Sequence, residues 1–286
     1  KNIRAFDSAK TSALSLAASE SAAAARGFLS GYFPTVEVSL KLQSENKPDG
    51  GILVLKPLSS AEEVERTWFT QGSLYLKDGR TTVNAGIGYR KLQFDKTLLL
   101  GVNAFYDHEF PHDHGRGSLG FEARSTVGEL NINLYNSLSG WQNVGGGLEE
   151  KSVGGADVEL GVPVPYMNWL QVYLRAFKWN SEIDGVTASK GRALSLKADL
   201  PGGYFSGTSV EMGYRDYASQ PNEKFITISY NFLADKPTKT ERNTKWVSST
   251  AYVLGSMDEH RYKKVRRENI IVKQTRSIGS VTVGGF

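Results

Sequence analysis

The sequence predicts an all-β protein: a twelve-stranded antiparallel transmembrane β-barrel, preceded by a helix and followed by a basic segment. Three observations predict it. Between Pro34 and Phe232 the hydropathy changes from a helical period to strict alternation. The polar faces of the alternating runs hold Gly, Ser, Asn and isolated charges rather than a continuous solvated surface. Many runs are nine to eleven residues long, the length that crosses a bilayer when tilted.

The bulk numbers by themselves resemble those of a water-soluble protein. Of 286 residues, 40% are hydrophobic, and mean hydropathy is −0.35. The longest apolar runs, such as Leu98–Leu100, fall far short of a membrane helix. No Cys is present, which excludes disulfide frameworks, thiol catalysis and Cys-rich zinc sites. The 30 Gly and 13 Tyr are in excess.

Residues 1–33 form the first unit. Ser8–Gly31 is rich in Ala and Ser, with Ala9, Ala13, Ala17 and Ala22 among good helix formers, and Gly27 and Gly31 as stops. A helix near 8–29 is expected, either packed through its small side chains or exposed as a linker. Nothing in residues 1–30 reads as a signal sequence with a cleavage site.

Residues 34–233 form the barrel unit. In Thr81–Leu92, Val83, Ala85, Ile87 and Tyr89 face one side, while Thr82, Asn84, Gly86, Gly88 and Arg90 face the other. The same alternation places strands at 35–43, 51–57, 67–76, 81–91, 96–107, 117–126, 128–137, 154–162, 169–178, 192–200, 207–217 and 223–233. Asp49-Gly50, Asp78-Gly79 and Gly202-Gly203 read as turns. A soluble sandwich also alternates, but it would bury the apolar face and wet the polar one. The barrel inverts that arrangement and removes the sheet edges. Tyr75, Tyr89, Tyr106, Trp169, Trp179, Tyr214, Tyr230 and Phe232 lie near strand ends, as girdle residues do. Expected lumen groups are Arg90, Asp107, Glu122, Arg124, Glu159, Arg175, Glu211 and Arg215, together with Glu37, Asp157 and Asp199.

Residues 234–286 form the third unit. Between 234 and 276 eleven Lys/Arg face five Asp/Glu, which leaves the rest of the chain net acidic. A basic segment can bind nucleic acid or anionic lipid, yet no nucleic-acid fold signature accompanies it and no nucleic-acid partner is expected. The other reading places it inside a polar lumen of mixed charge. Trp246–Glu259 could form a short helix, interrupted by Gly255, and Asn269–Lys273 reads as extended.

Catalytic and metal chemistry find little support. His108, His112 and His114 stand with Asp107, Glu109 and Asp113 in what reads as one loop; this is either a zinc or copper site or a solvated turn broken by Pro111 and Gly115. An outer-membrane protease or acyltransferase would have to use Asp107 with His112 or His114. No phosphate-cradling Gly loop joins a strand to a helix. The expectation is no enzyme, no cofactor and no resident metal.

Several segments, in this order, resemble one family: Thr35–Leu40, Val83–Tyr89, Asn103–Phe110, Leu138-Ser-Gly-Trp141, Gly213-Tyr-Arg215, and finally Arg261-Tyr-Lys-Lys-Val-Arg-Arg267 with Asn269 and Ile271-Val272. The sequence resembles the β-domain of inverse autotransporters, the intimin and invasin type. The resemblance implies a barrel in the bacterial outer membrane with both ends periplasmic. It implies a linker that enters the pore from below and carries a C-terminal, adhesin-like passenger to the cell surface. It further implies the outer-membrane lipid bilayer, the barrel-assembly machinery and periplasmic chaperones as partners. By that resemblance Trp246, Arg261, Tyr262, Arg267 and Asn269 belong to the pore linker, and loops 108–116, 138–153 and 179–191 face outward. An extended segment covers a 30 Å core with about ten residues. No peptidoglycan-binding module precedes residue 1, and ten residues, Ser277–Phe286, follow the linker motif. On that reading the passenger is missing, cleaved, left off this segment, or supplied by a separate polypeptide, a surface partner. The other reading is a stand-alone barrel, acting as a diffusion pore or anchoring a larger surface assembly.

Overall fold

The structure is a computed structural model that describes residues 32–60, 62–200, 206–218, 220–232 and 246–278. The helix expected near 8–29 and the Gly202-Gly203 turn lie outside the described residues.

Alternation becomes a closed antiparallel barrel. Its strands are β1 (Thr35–Gln43), β2 (Asp49–Pro57), β3 (Arg66–Lys77), β4 (Arg80–Gln93), β5 (Leu98–Phe110), β6 (His114–Ser125) and β7 (Gly128–Ser137). It continues with β10 (Gly155–Val164), β11 (Met167–Trp179), β12 (Ser189–Asp199), β13 (Thr208–Tyr217) and β14 (Glu223–Asn231). These are the twelve expected strands, with ends shifted by at most three residues. The ring closes where β1 pairs with β14, Val38 opposite Tyr230. No strand edge is left open, as hydrocarbon requires. Among the described residues no helix is long and apolar enough to cross a membrane, so any crossing is made by strands.

The burial pattern is the inverse of a soluble protein's. Ile87, Val102, Leu119, Leu134, Leu160 and Leu174 are exposed on the outer surface. Asn84, Arg90, Asp107, Arg116, Glu122 and Arg124, one residue out of phase, are buried. With a side-chain period of two, one register sends Ile87 and Val102 outward while it turns Arg90 and Asp107 inward.

The excess glycine has a structural cause. On the inner face, aromatic rings lie flat over a glycine directly opposite on the next strand: Gly51 under Tyr75, Gly86 under Phe105, Gly88 under Phe69, Gly161 under Tyr173, Gly191 under Phe177 and Gly213 under Phe225. A Cβ at any of these glycines would overlap the ring. Each ring therefore needs its glycine, a pairing that also shields the bare backbone.

Two girdle expectations are corrected. Trp179 is buried with Tyr135, Phe177 and Val153 on the inner side. The Tyr75 hydroxyl accepts a hydrogen bond from Asn269 (3.2 Å). Trp179 shares its face with Tyr173 and Phe177, six and two residues earlier, so parity and not position along the strand decides its direction. The Asp49-Gly50 turn is also corrected, since both residues open β2.

A second, small sheet stands at the upper rim, opposite the rim where β1 begins and β14 ends. It holds β8 (Gln142–Gly145), β9 (Leu148–Ser152) and β15 (Lys273–Ser277), in the order β15-β9-β8. Gly145, Gly146 and Gly147 make the β8–β9 turn with φ of 87°, 61° and 73°, a left-handed run that suits glycine alone. These strands fall in segments that the sequence reads as polar loop or basic tail. The expected loop 108–116 is likewise corrected: β5 runs to Phe110 and β6 starts at His114, leaving a three-residue turn.

The helix expected over Trp246–Glu259 does not form. Residues 246–257 instead follow the lower rim, pinned by its turns. Trp169 Nε1 donates to the Trp246 carbonyl (2.8 Å) and Thr126 Oγ1 to the Val253 carbonyl (2.6 Å). Tyr166 N–H donates to Ala251 O (3.1 Å), and Met257 N–H to Lys96 O (2.8 Å). These bonds take the place of a helical ladder in a stretch whose Ser, Thr and Val content favours helix poorly. A 3-10 helix follows at Glu259–Tyr262.

Candidate functional site: the barrel lumen

The inner face of the barrel is a lattice of arginines, carboxylates and rings. β5 presents Asp107 and β6 presents Arg116; the two are adjacent in the register and fully buried. Arg116 Nε donates to Asp107 Oδ2 (2.9 Å) and Asn84 Nδ2 to Asp107 Oδ1 (2.7 Å). One level lower, Arg90 Nε donates to Glu122 Oε1 (2.5 Å), and Arg124 closes on the other oxygen of Glu122 (2.8 Å). Buried charges persist only when paired and hydrogen-bonded, and these are both.

The C-terminal segment completes the lattice. Arg267 donates to both oxygens of Asp107 (2.8 and 2.7 Å) and to Ser118 Oγ (3.0 Å). Its guanidinium lies 4.3 Å from the Phe105 ring centroid. Arg266 meets Glu159 on β10 and Glu211 on β13, with bonds of 3.1 Å to each, and stacks 3.7 Å from Tyr173. Lys264 pairs with Glu37 on β1. Arg175 bridges Asp157 (2.6 Å) and Glu268 (3.1 Å). Tyr262 packs on the cluster of Leu55, Phe69, Phe105 and Val265. Arg261 Nη1 reaches Thr67 Oγ1 (3.2 Å).

The backbone of this segment makes a separate demand. Residues 263–272 form no ladder, so their peptide groups need other partners. Arg90 donates to Arg261 O (2.6 Å), Arg124 to Lys264 O (3.1 Å) and Asn133 to Arg266 O (3.1 Å). Arg116 donates to Glu268 O (2.7 Å) and Ile270 O (3.2 Å), and Asn84 to Asn269 O (3.0 Å). Gln71 Oε1 accepts from Val265 N–H (2.9 Å), and Tyr135 OH from Glu268 N–H (2.8 Å). The lumen side chains thus do for this stretch what a neighbouring strand does elsewhere.

At the upper rim Lys273 is held by Glu109 (2.6 Å), and β15 pairs with β9, Lys273 opposite Ser152. Arg80 donates to both oxygens of Glu150 (2.6 and 3.1 Å). Burial on its own would raise the Glu150 carboxyl, but this Arg80 fork outweighs it and holds the carboxyl below the usual range.

Of the expected lumen residues, Arg90, Asp107, Glu122, Arg124, Glu159, Arg175 and Glu211 join this lattice. Arg215 bonds to Tyr217 OH and Glu223 (3.1 Å each) rather than to the C-terminal segment. Trp246 stays at the lower rim, edge-on to Trp169 at 5.1 Å. Sequence reasoning missed Gln71, Arg116, Asn133, Tyr135, Lys264, Arg266 and Glu268. Parity could have found Arg116, which sits on the same face as Glu122 and Arg124; nothing local marks Arg266 as different from its neighbours. His112 lies in the β5–β6 turn, its ring 6.5 Å from that of His114, and the other two histidines face opposite sides. His108 faces outward, 3.3 Å from Asp113, whereas His114 is buried inward, 3.5 Å from Glu150. Strand alternation splits them, and among the described residues no three His, Cys, Asp or Glu converge for a metal.

The family model for the inverse autotransporter β-domain matches residues 3–269. The inverse autotransporter adhesin YeeJ of Escherichia coli K12 is 24% identical over 75% of this chain, which covers 9% of that protein. The invasin of Yersinia enterocolitica is 27% identical over 40% of the chain, covering 14% of invasin. A putative attaching and effacing protein homologue of Escherichia coli K12 is 30% identical over 39% of the chain, covering 37% of its length. The chain thus spans well under half the length of these relatives. In fold it is similar to a solved structure from a study of in-meso crystallization of membrane proteins, with a TM-score of 0.66 and 19% identity, covering 85% of this chain and all of that one. The chain belongs to the inverse autotransporter β-domain family, and its barrel is one of the bacterial outer membrane.

Proposed function

We propose that the barrel (34–233) anchors and exports a C-terminal adhesin-like passenger, and that residues 246–278 are the pore linker, with 258–272 seated in the lumen between periplasm and cell surface. Barrel-assembly machinery and periplasmic chaperones would insert the barrel. The observation that carries this reading is the spread of contacts: residues 264–268 meet Glu37 on β1, Gln71 on β3, Asp107 on β5, Glu159 on β10, Arg175 on β11 and Glu211 on β13. Only a strand running along the barrel axis can touch walls that far apart around the ring. Below it, Met257 is tied to the β4–β5 turn; above it, β15 continues on β9. The role is anchoring and guidance, not catalysis.

Deleting 246–286 tests it. In planar bilayers the deletion should raise single-channel conductance several-fold over the intact chain. Equal conductance would remove the linker from the pore.

A further inference from the structure

The seated linker does not fill the lumen evenly. Beside it, mainly along β1 and β11–β14, three cavities stand in line; the upper one also meets Arg80, Thr82 and Glu109 on β4 and β5, and the lower one Arg124 and Glu129 on β6 and β7. The upper one, about 580 Å³, reaches Asn46, Ser181 and Gln220 at the upper turns. The middle one, about 200 Å³, lies between Ser195, Thr227 and Arg266. The lower one, about 810 Å³, reaches Phe33, Leu200 and Gly207 at the lower rim. Upper and middle share Lys41, Asp49, Arg175, Arg215 and Glu268 as walls; middle and lower share Tyr173, Lys264 and Arg266. The three therefore abut from rim to rim, and even the smallest has room for several waters.

We propose that this crevice is a permeation path: with its linker seated, the barrel conducts small ions along β1 and β11–β14, with a preference for anions. The proposal rests on the linker seating of the preceding subsection. The preference follows from the charges at the upper junction. Arg175 spends its charge on Asp157 and Glu268, and Arg215 on Glu223. Lys41 has no carboxylate at ion-pair distance among the described residues; its ammonium lies 5.1 Å from the Phe225 ring. A fixed cation on a narrow, wet path between low-dielectric walls raises the local anion concentration. The 200 Å³ waist excludes bulky solutes, which separates this path from a general diffusion pore.

The test is a KCl gradient across a planar bilayer holding the intact chain. A small conductance with an anion-side reversal potential is expected. Lys41→Glu should move the reversal potential toward the cation side, and Ser195→Trp should cut the conductance several-fold. Thr227→Trp is a second blocking variant should the first fail to fold, folding being read by heat-modifiable gel migration. The chain has no native cysteine, so a Glu37→Cys/Lys264→Cys disulfide can lock the linker, and the current should survive locking. A silent intact barrel overturns the path and leaves the seating untouched. A current abolished by locking also overturns it, since the ions then passed only when the linker left. A reversal potential unmoved by Lys41→Glu overturns the anion preference. A conductance equal to that of the 246–286 deletion overturns the seating itself, and the path with it.

Discussion

The wall built from β3–β7 and the wall built from β1 and β12–β14 treat the same segment differently. On the first wall Arg90, Arg116 and Arg124 are all but fully buried and donate to the segment's backbone carbonyls. Arg90 and Arg267 stack 4.2 and 4.3 Å from Phe69 and Phe105. On the second, Arg215 and Lys41 stand 5.6 and 5.1 Å from Phe225, and the space between is cavity. The strands differ as well: β3–β6 run 12 to 14 residues, β1 and β14 only 9. One wall thus acts as a cradle that satisfies peptide groups. The other touches the segment chiefly through ion pairs of long side chains, such as Lys264–Glu37 and Arg266–Glu211; at its lower end Thr35 Oγ1 also donates to the Tyr262 carbonyl (2.6 Å). Grip and free passage coexist because they occupy different arcs of one ring.

The sharpest way to break this contrast is Arg267→Ala. It leaves Asp107 buried with one guanidinium fewer, and loss of one partner of a buried pair costs about 3–5 kcal/mol. Proteolytic protection of 257–272 in the intact barrel should fall accordingly; unchanged protection would place the grip elsewhere. Gly88→Ala comes next. The new Cβ would overlap the Phe69 ring under Arg90, and overpacking of this kind costs about 1–3 kcal/mol. The expected readout is a lower temperature for the heat-modifiable gel shift.

On the looser wall the effect shrinks. Ser195→Ala removes a 2.7 Å hydrogen bond to Glu211, worth about 1 kcal/mol, while Arg266 still holds that carboxylate. A gel-shift change as large as that of Gly88→Ala would erase the distinction between the walls. The smallest effect belongs to the upper sheet. The folded Glu150 carboxyl titrates below its ordinary value of 4.5, so its contribution is complete above that value. It is lost as pH falls through the folded value. Amide exchange in β15 should therefore quicken only in acid, and Glu150→Gln should flatten that dependence.

The strands were legible because alternation is local. Val83 to Tyr89 announces both its period and its two faces within a single strand. The lumen charges followed from the same parity, which is why Arg90, Asp107 and Glu122 could be named. What was illegible depended on partners distant in sequence. Trp246–Glu259 reads as a short helix, but its peptide groups are claimed by turns from 77 to 161 residues earlier. His108, His112 and His114 look like a cluster until strand pairing puts His108 on β5 and His114 on β6, facing opposite sides, and leaves His112 in the turn between them.

The sequence by itself determined the number of strands, the outward and inward faces, and the basic character of the terminal segment. Each is a property of spacing along the chain and needs no knowledge of what lies opposite. Only the tertiary structure decided which carboxylate receives which arginine, which glycine lies under which ring, and that one arc of the lumen is packed while the other is open. Those outcomes depend on the register between paired strands and on closure of the ring, which brings β1 and β14 together from opposite ends of the barrel segment. Arg266 and Arg267 are adjacent and chemically identical. Extended backbone sends them to opposite sides of the lumen, and the shape of the barrel makes one reach β5 and the other β10 and β13.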